Sequence, residues 1–404
     1  MFQPNYLLKP FCLLLMLFLC IPVMAQEEEK KKKRKKESID YEAVKDIENY
    51  GRFRVIDFRM HTGVHLYGGE GLNEKLDKGY GGTEIRYGWQ TDEGDDWAAY
   101  YGYPSFGVGL YTGFIGDPDV FGNPNALYGW INFPITNGER KNIFSINPAL
   151  GLTYNLLPYD PESNPTNDAI GGKMAVYFNL AFEFAYRLTR EMDLNYGVDF
   201  THFSNGRSFT PNWGLNMFGI NVGLLYHYNA DQHRVTQDPY GQKVLQSRFR
   251  RSPSKTPEKI KQSRIETYLA IGTTQTYEEA GSDIHYLNFS GTIDYVYQFN
   301  TISSATVGFD YFYDESLSYN FPDSADHHLI GVHGGYDFNF WKMLVRLQVG
   351  TYLTDDRGKG NVFIRPAIRY NINNWMYAQV GLKTQNGSSA DWIEWGIGFQ
   401  PFKW

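Results

Sequence analysis

The chain predicts an all-β fold, an antiparallel transmembrane barrel of the outer-membrane kind, and three observations carry that expectation. Apolar and polar residues alternate with a period of two over segments of ten to seventeen residues. A strand in a soluble sheet usually spans five or six residues, whereas about nine to eleven tilted residues cross a bilayer. Aromatics make up 17% of the chain, with 31 Tyr and 28 Phe, yet mean hydropathy is −0.45. The rings therefore alternate with polar side chains instead of gathering in a core, the pattern of a barrel that turns apolar residues to lipid and polar ones inward. Beyond the first 25 residues there is no run of 18 consecutive apolar residues, which excludes spanning helices.

In chain order, residues 1–25 read as a secretory signal. A short region with Lys9 precedes an apolar run from Phe11 to Val23, then V-M-A before Gln26, with cleavage expected after Ala25. Both cysteines of the chain, Cys12 and Cys20, lie in this run, so the expected mature chain has neither a disulfide framework nor thiol chemistry. Loss of Lys9 takes the formal charge from −7 to −8, which argues against a nucleic-acid partner. Glu27 to Lys36 is a charge run within a solvated, disordered tether at 26–50.

From Gly51 the period changes to two, and strands are expected near 51–66, 79–91, 104–115, 125–136, 142–157, 172–188, 191–205 and 212–229. In the sixth, Met174, Val176, Phe178, Leu180, Phe182, Phe184, Tyr186 and Leu188 alternate with a face that includes Lys173, Asn179, Glu183 and Arg187. With the N-terminus on the periplasmic side, 67–78, 116–124, 158–171 and 206–211 become outer loops, and 137–141 and 189–190 become tight inner links. Residues 92–103 break this rule, a long segment on the short side. A stretch without period, 230–263, reads as a periplasmic linker or loop. Alternation resumes near 264–277, 284–299, 304–316, 327–339, 343–354, 361–372, 375–385 and 391–403. The closing F-Q-P-F-K-W ends an amphipathic strand on an aromatic, similar to the signal by which outer-membrane barrels are recognised for assembly.

The count is two sets of eight, 51–229 and 264–404. One barrel of about 16 strands is the expectation, because closure removes sheet edges; two tandem eight-stranded barrels are the alternative, favoured by the long break.

Reactive side chains concentrate between Asp199 and Asn216. Counting in twos, Leu194, Tyr196, Val198, Phe200, His202 and Ser204 share one face, and Asn216 falls on the apolar face of the next strand with Phe218, Ile220 and Val222. If the apolar face meets lipid, His202 and Ser204 lie on the outer wall near the outer leaflet. Two strand residues advance about 6.6 Å, a span that an imidazole-to-hydroxyl hydrogen bond can bridge. Asn216 on the neighbouring strand could orient the second ring nitrogen, giving the logic of nucleophile, base and orienter with a lipid as substrate. Asp199 and Glu183 lie on inward faces and offer no acid.

H-F-S-N-G at 202–206 followed by P-N-W-G-L-N at 211–216 resembles the active-site hairpin of the lipid A 3-O-deacylase family, over roughly the first half of the mature chain. The family pattern is His-x-Ser-Asn, a Pro-Asn about ten residues on, then Gly-x-Glu. The resemblance implies an outer-membrane barrel of a Gram-negative bacterium with a triad on its outer surface, releasing an ester-linked acyl chain from lipid A without a cofactor. By position it makes Ser204 the nucleophile, His202 the general base and Asn205 an oxyanion contributor, with Asn212 supporting the turn. The chain departs from the pattern at Asn216, where the family has Glu, and at the oxyanion glycine, here Gly206, one place early.

His61 with His65, and His327 with His328, lack a ligand cluster, so no metal is assigned. D-P-D-V-F-G-N-P-N at 117–125 reads as an outer loop. A loose overlay of the last hairpin on the first puts Thr384 in the place of His202 and turns Glu394 inward, which makes the second half scaffold. Two function classes follow: a lipid A esterase, or a non-enzymatic barrel, a pore or structural protein, that retains a degenerate hairpin.

Overall fold

The structure, a computed structural model, describes residues 54–227 and 255–404 apart from 70, 92–93, 137–141, 190 and 388. The expected signal peptide, the tether, the link at 137–141 and most of the 230–263 linker lie outside the described residues.

The first eight strands are β1 (Arg54–His65), β2 (Tyr80–Gln90), β3 (Ser105–Ile115), β4 (Gly122–Pro134), β5 (Asn142–Leu156), β6 (Ala175–Arg187), β7 (Met192–Ser204) and β8 (Leu215–His227). The second eight are β9 (Lys259–Thr274), β10 (Tyr286–Asn300), β11 (Ser303–Asp314), β12 (His328–Phe340), β13 (Met343–Tyr352), β14 (Val362–Asn371), β15 (Met376–Gln385) and β16 (Ser389–Lys403). Within each set of eight, every strand pairs antiparallel with its chain neighbours. The sixteen strands do not form one barrel: β8 returns to β1, from Val55 opposite His227 to His65 opposite Met217, and β16 returns to β9. Each set of eight thus satisfies its own edges, and a lumen of that size is filled by side chains. The strand boundaries follow the period closely except at β9, which starts at Lys259 instead of 264. The polar run K-I-K-Q-S carries no oily face to reveal it, and it is held by pairing with the far end of β10, where Asn300 faces Lys259.

Burial follows the alternation. On β1, Asp57, Arg59 and His61 are buried while Ile56, Phe58 and Met60 are exposed, and on β13 Arg346 and Gln348 are buried between exposed Val345, Leu347 and Val349. Inward charges are paired, as burial away from water requires. In the first lumen Arg59 bonds Asp57 at 2.7 Å, Arg86 pairs with Glu84 at 2.8 Å, and Arg59 also contacts Glu183. In the second, Arg346 joins Asp337, Asp294 and Glu266 at 2.7–2.9 Å, and Arg369 meets Glu266 at 2.6 Å. The loops at one end of the first barrel fold over its mouth, where Leu72, Leu76, Phe121 and Ile170 form one apolar cluster with Tyr111, Tyr177 and Phe203 below.

The barrels stand side by side and touch at both ends. At the end of the short turns, Trp97 packs against Phe340 at 5.2 Å and Trp341 at 5.6 Å, and Tyr101 donates to the Asn339 carbonyl at 2.5 Å. At the opposite end the β7–β8 hairpin meets the loop after β9 and the start of β16. Like ends meet, so both barrels run in the same direction across one membrane.

Candidate active site

The period of two places the site. On β7 the odd residues Asp199, Thr201 and Phe203 are buried, and the even residues Phe200, His202 and Ser204 are half-buried on the outer wall. On β8, Asn216 shares the outward face with exposed Phe218, Ile220 and Val222. The antiparallel register sets His202 directly opposite Asn216. Their side chains meet, His202 Nδ1 lying 2.7 Å from Asn216 Oδ1. With the amide oxygen as acceptor, Nδ1 carries the ring proton and Nε2 keeps its lone pair, the tautomer a general base needs. The Phe200 ring lies parallel to the imidazole, with centroids 6.4 Å apart.

Ser204 Oγ accepts from Asn212 Nδ2 at 2.9 Å and from the Gly206 N–H at 3.3 Å. Both partners are donors, so the hydroxyl proton remains free to leave. Among the described residues no hydrogen bond joins Ser204 to His202; such catalytic bonds commonly tighten only when substrate is bound. Asn212 Oδ1 accepts from the Asn205 N–H at 3.2 Å, so one side chain ties both ends of the hairpin loop together. Asn205 Oδ1 accepts from the Phe209 N–H at 3.4 Å, while its Nδ2 is buried without a partner. A buried amide donor left unmatched costs about 1–3 kcal/mol. Asn205 follows Ser204 in the chain, so this uncommitted donor lies one residue from the hydroxyl.

All six expected residues, His202, Ser204, Asn205, Gly206, Asn212 and Asn216, are thus brought together in one hairpin. The inward carboxylates are engaged elsewhere: Asp199 with His61 at 2.9 Å and Asn179 at 2.8 Å, and Glu183 with Arg59 and Asn147. Gly214 was not singled out by sequence reasoning. It has φ of 72°, and a Cβ there would sit 3.0 Å from His202 Cε1, so the glycine leaves room for the imidazole. The first barrel's own loop supports this end, with the Asp168 and Ala169 carbonyls accepting from the Trp213 and Gly214 N–H groups at 3.2 and 2.9 Å.

The remaining candidates have local roles. Among the described residues there is no group of three His, Cys, Asp or Glu side chains able to hold a metal. His61 bridges Asp199 and Glu84, His65 edges against Tyr80, His327 Nε2 lies 2.9 Å from the Phe321 carbonyl, and His328 Nδ1 lies 2.7 Å from the Tyr311 hydroxyl. In the 117–125 segment, Asp117 caps a short helix by accepting from the Asp119 N–H at 3.0 Å and pairs with Lys75 at 2.6 Å. In the second barrel, Thr384 Oγ1 accepts from the Ile364 N–H at 2.9 Å and Glu394 turns inward to Arg365 at 3.0 Å.

Two family models match the chain: "Lipid A 3-O-deacylase (PagL)" over residues 81–225, and "Acyloxyacyl hydrolase, C-terminal domain" over 263–404. No curated protein matches it. Among solved structures it is similar to neisserial surface protein A at 10% identity, covering 44% of this chain and 99% of that one with a TM-score of 0.30. A triple mutant of the Rhodopseudomonas blastica porin matches at 11% identity over 86% of this chain and 99% of that one, TM-score 0.18. The OccK3 protein of Pseudomonas aeruginosa matches at 10% identity over 91% and 99%, TM-score 0.21. The two family matches divide between the two barrels: the first resembles the lipid A 3-O-deacylase family and the second the acyloxyacyl hydrolase C-terminal domain.

Proposed function

We propose that the protein is a serine esterase of the Gram-negative outer membrane that removes an ester-linked acyl chain from lipid A. The observation that carries this reading is the His202–Asn216 pair at 2.7 Å, set beside Ser204 on the face of the strand that meets lipid. Ser204 Oγ attacks the ester carbonyl as His202 Nε2 takes its proton. Asn216 holds the ring tautomer, and the negative charge that builds on the carbonyl oxygen is met by Asn205 Nδ2 and backbone N–H groups near Gly206. His202 returns the proton to the departing sugar alcohol, leaving an acyl-serine; water, deprotonated by the same nitrogen, then releases the fatty acid and restores Ser204. None of these steps requires a cofactor. An acyl chain lying along the barrel wall reaches the site from the membrane, which fits the outward placement. The 3-position ester is the bond the family resemblance implies. Residues 1–25 fit an export signal for the same destination.

Mass spectrometry of lipid A from cells with and without the protein tests the proposal. The expected result is a species lighter by one acyl chain, lost again in a Ser204→Ala variant that still assembles in the membrane. An unchanged acyl pattern, or full deacylation by Ser204→Ala, would overturn it.

A further inference from the structure

The tip of the β7–β8 hairpin, residues 206–210, is held largely by the second barrel. Thr210 donates its backbone N–H to Gln275 Oε1 at 2.8 Å and is within 3.1 Å of the same oxygen through Oγ1, which also lies 2.8 Å from the Thr276 carbonyl. The Gln275 N–H donates to the Arg207 carbonyl at 3.0 Å, and Ser208 Oγ reaches the Thr273 carbonyl at 3.3 Å. Gln275 is itself spoken for on its nitrogen side, donating to the Ser282 carbonyl at 2.8 Å, so it presents its oxygen to the hairpin in a fixed direction. Thr210 and Gln275 are both buried. A charged contact adds to these: Arg207 Nη2 lies 3.0 Å from Asp391 Oδ1, and Asp391 is buried and anchored by Lys359 at 2.8 Å and Lys383 at 2.6 Å. Finally, Gly206 fits flush against β16. Its φ is 63°, and a Cβ would fall 2.4 Å from Ile393 Cγ1.

These contacts bear on chemistry because the same five residues begin two places after Ser204. The Gly206 N–H donates to Ser204 Oγ, and the Phe209 N–H holds Asn205 Oδ1, leaving Asn205 Nδ2 uncommitted. The first barrel's own loop bonds the hairpin at Trp213 and Gly214, with Gly171 abutting Thr210 and Pro211 from that flank. Among the described residues, the hydrogen bonds that leave 207–210 for another element go to the second barrel. Donors for an oxyanion act only when fixed before charge develops, and loss of positioning on the scale of 1 Å can cost on the order of a hundredfold in rate.

We propose that the second barrel is a positioning element for the catalytic hairpin, with Gln275 and Asp391 as positioning residues that hold Asn205 and Gly206 in place through Thr210 and Arg207. This rests on the esterase reading of Ser204 and His202, and it gives the second barrel, which lacks the hairpin's reactive residues at the corresponding positions, a part in the reaction.

The test uses the full chain in detergent micelles with lipid A as substrate and compares Gln275→Ala, Arg207→Met, their combination and Arg207→Lys. Folding is read from the heat-dependent shift in gel mobility, and hydrogen exchange is followed at residues 205–212. The double variant is expected to stay folded, to exchange faster at 205–212, and to lose roughly ten- to a hundredfold in kcat with KM within about twofold. Arg207→Lys, which keeps the charge for Asp391, is expected to recover most of the rate lost in Arg207→Met. If Gln275→Ala fails to fold, the partly exposed Arg207 pair of variants decides by the same readouts. Unchanged exchange overturns the proposal whatever the activity, and so does faster exchange with unchanged kcat. Failure of the esterase reading shows separately, as activity surviving Ser204→Ala in the otherwise unaltered chain, and the exchange readout stands without it.

Discussion

Under the esterase proposal, Asn216 is the residue expected to set the rate. In serine triads, replacing the acid by its amide costs around ten-thousandfold because the imidazole is then held in the wrong tautomer, yet Cys-His-Asn sites run with an Asn orienter. Here Asn216 Oδ1 already lies 2.7 Å from His202 Nδ1, so shape is not the deficit. What the amide lacks is charge: it orients a neutral ring but would do little for the imidazolium that the proposed mechanism forms on His202. Asn216→Asp keeps the geometry and supplies that charge, and it is expected to raise kcat on lipid A by about tenfold. Steady-state kinetics beside the parent protein check this. A kcat equal to or below the parent's would mean that the amide is already the better partner on a lipid-facing wall, where a carboxylate is costly.

At the scale of elements, the segment between β2 and β3 shows why a departure from pattern repays notice. A periplasmic connection should be short, and 92–103 is long. Its short helical turn, Ala98–Tyr101, carries Trp97 and Tyr101 onto Phe338, Phe340 and Trp341 at the β12–β13 turn. The extra residues form one half of the seam between barrels, and the β7–β8 hairpin forms the other. Aromatic pairs of this kind contribute about 0.5–1.5 kcal/mol each beyond the area they bury. Trp97→Ala is therefore expected to lower the melting temperature of the full chain by several degrees while leaving strand content unchanged by circular dichroism; an unaltered melting curve would show that the Trp97 contact holds nothing. Because the site lies at the opposite end of the barrel, kcat should change far less than in the Gln275→Ala, Arg207→Met pair.

The whole molecule argues against a pore. Each barrel has eight strands, a size at which side chains fill the interior, and here they do so with arginines each ion-paired to at least one carboxylate: Arg59 and Arg86 in one lumen, Arg346, Arg365 and Arg369 in the other. The apolar cap of Leu72, Leu76, Phe121 and Ile170 closes the mouth of the first. Purified protein in planar bilayers is accordingly expected to give no stable conductance steps, and reproducible porin-like openings would contradict this filling. A single sixteen-stranded barrel would have had a wide water-filled lumen, so the manner of closure decides between two functional classes as well as two shapes.

Much of this was legible in the sequence because it depends on local period. Alternation by twos needs no knowledge of partners, so it located the strands and sorted inward Asp199 and Glu183 from outward His202, Ser204 and Asn216; that an acid is missing at Asn216 came from the family resemblance. Closure was not legible, because it is a choice of partner: β8 could have continued to β9 with the same period, and what decides is the register by which His227 returns to Val55 and Met217 to His65. The seam was hidden for a related reason. Thr210 and Gln275, Arg207 and Asp391, Trp97 and Trp341 are each separated by 65 residues or more, and no periodicity links them. The sequence by itself determined which residues could do chemistry and which face they occupy; only the tertiary structure decided that the strands close as two barrels in contact at both ends, because contacts between separately closed sheets leave no repeating signature along the chain.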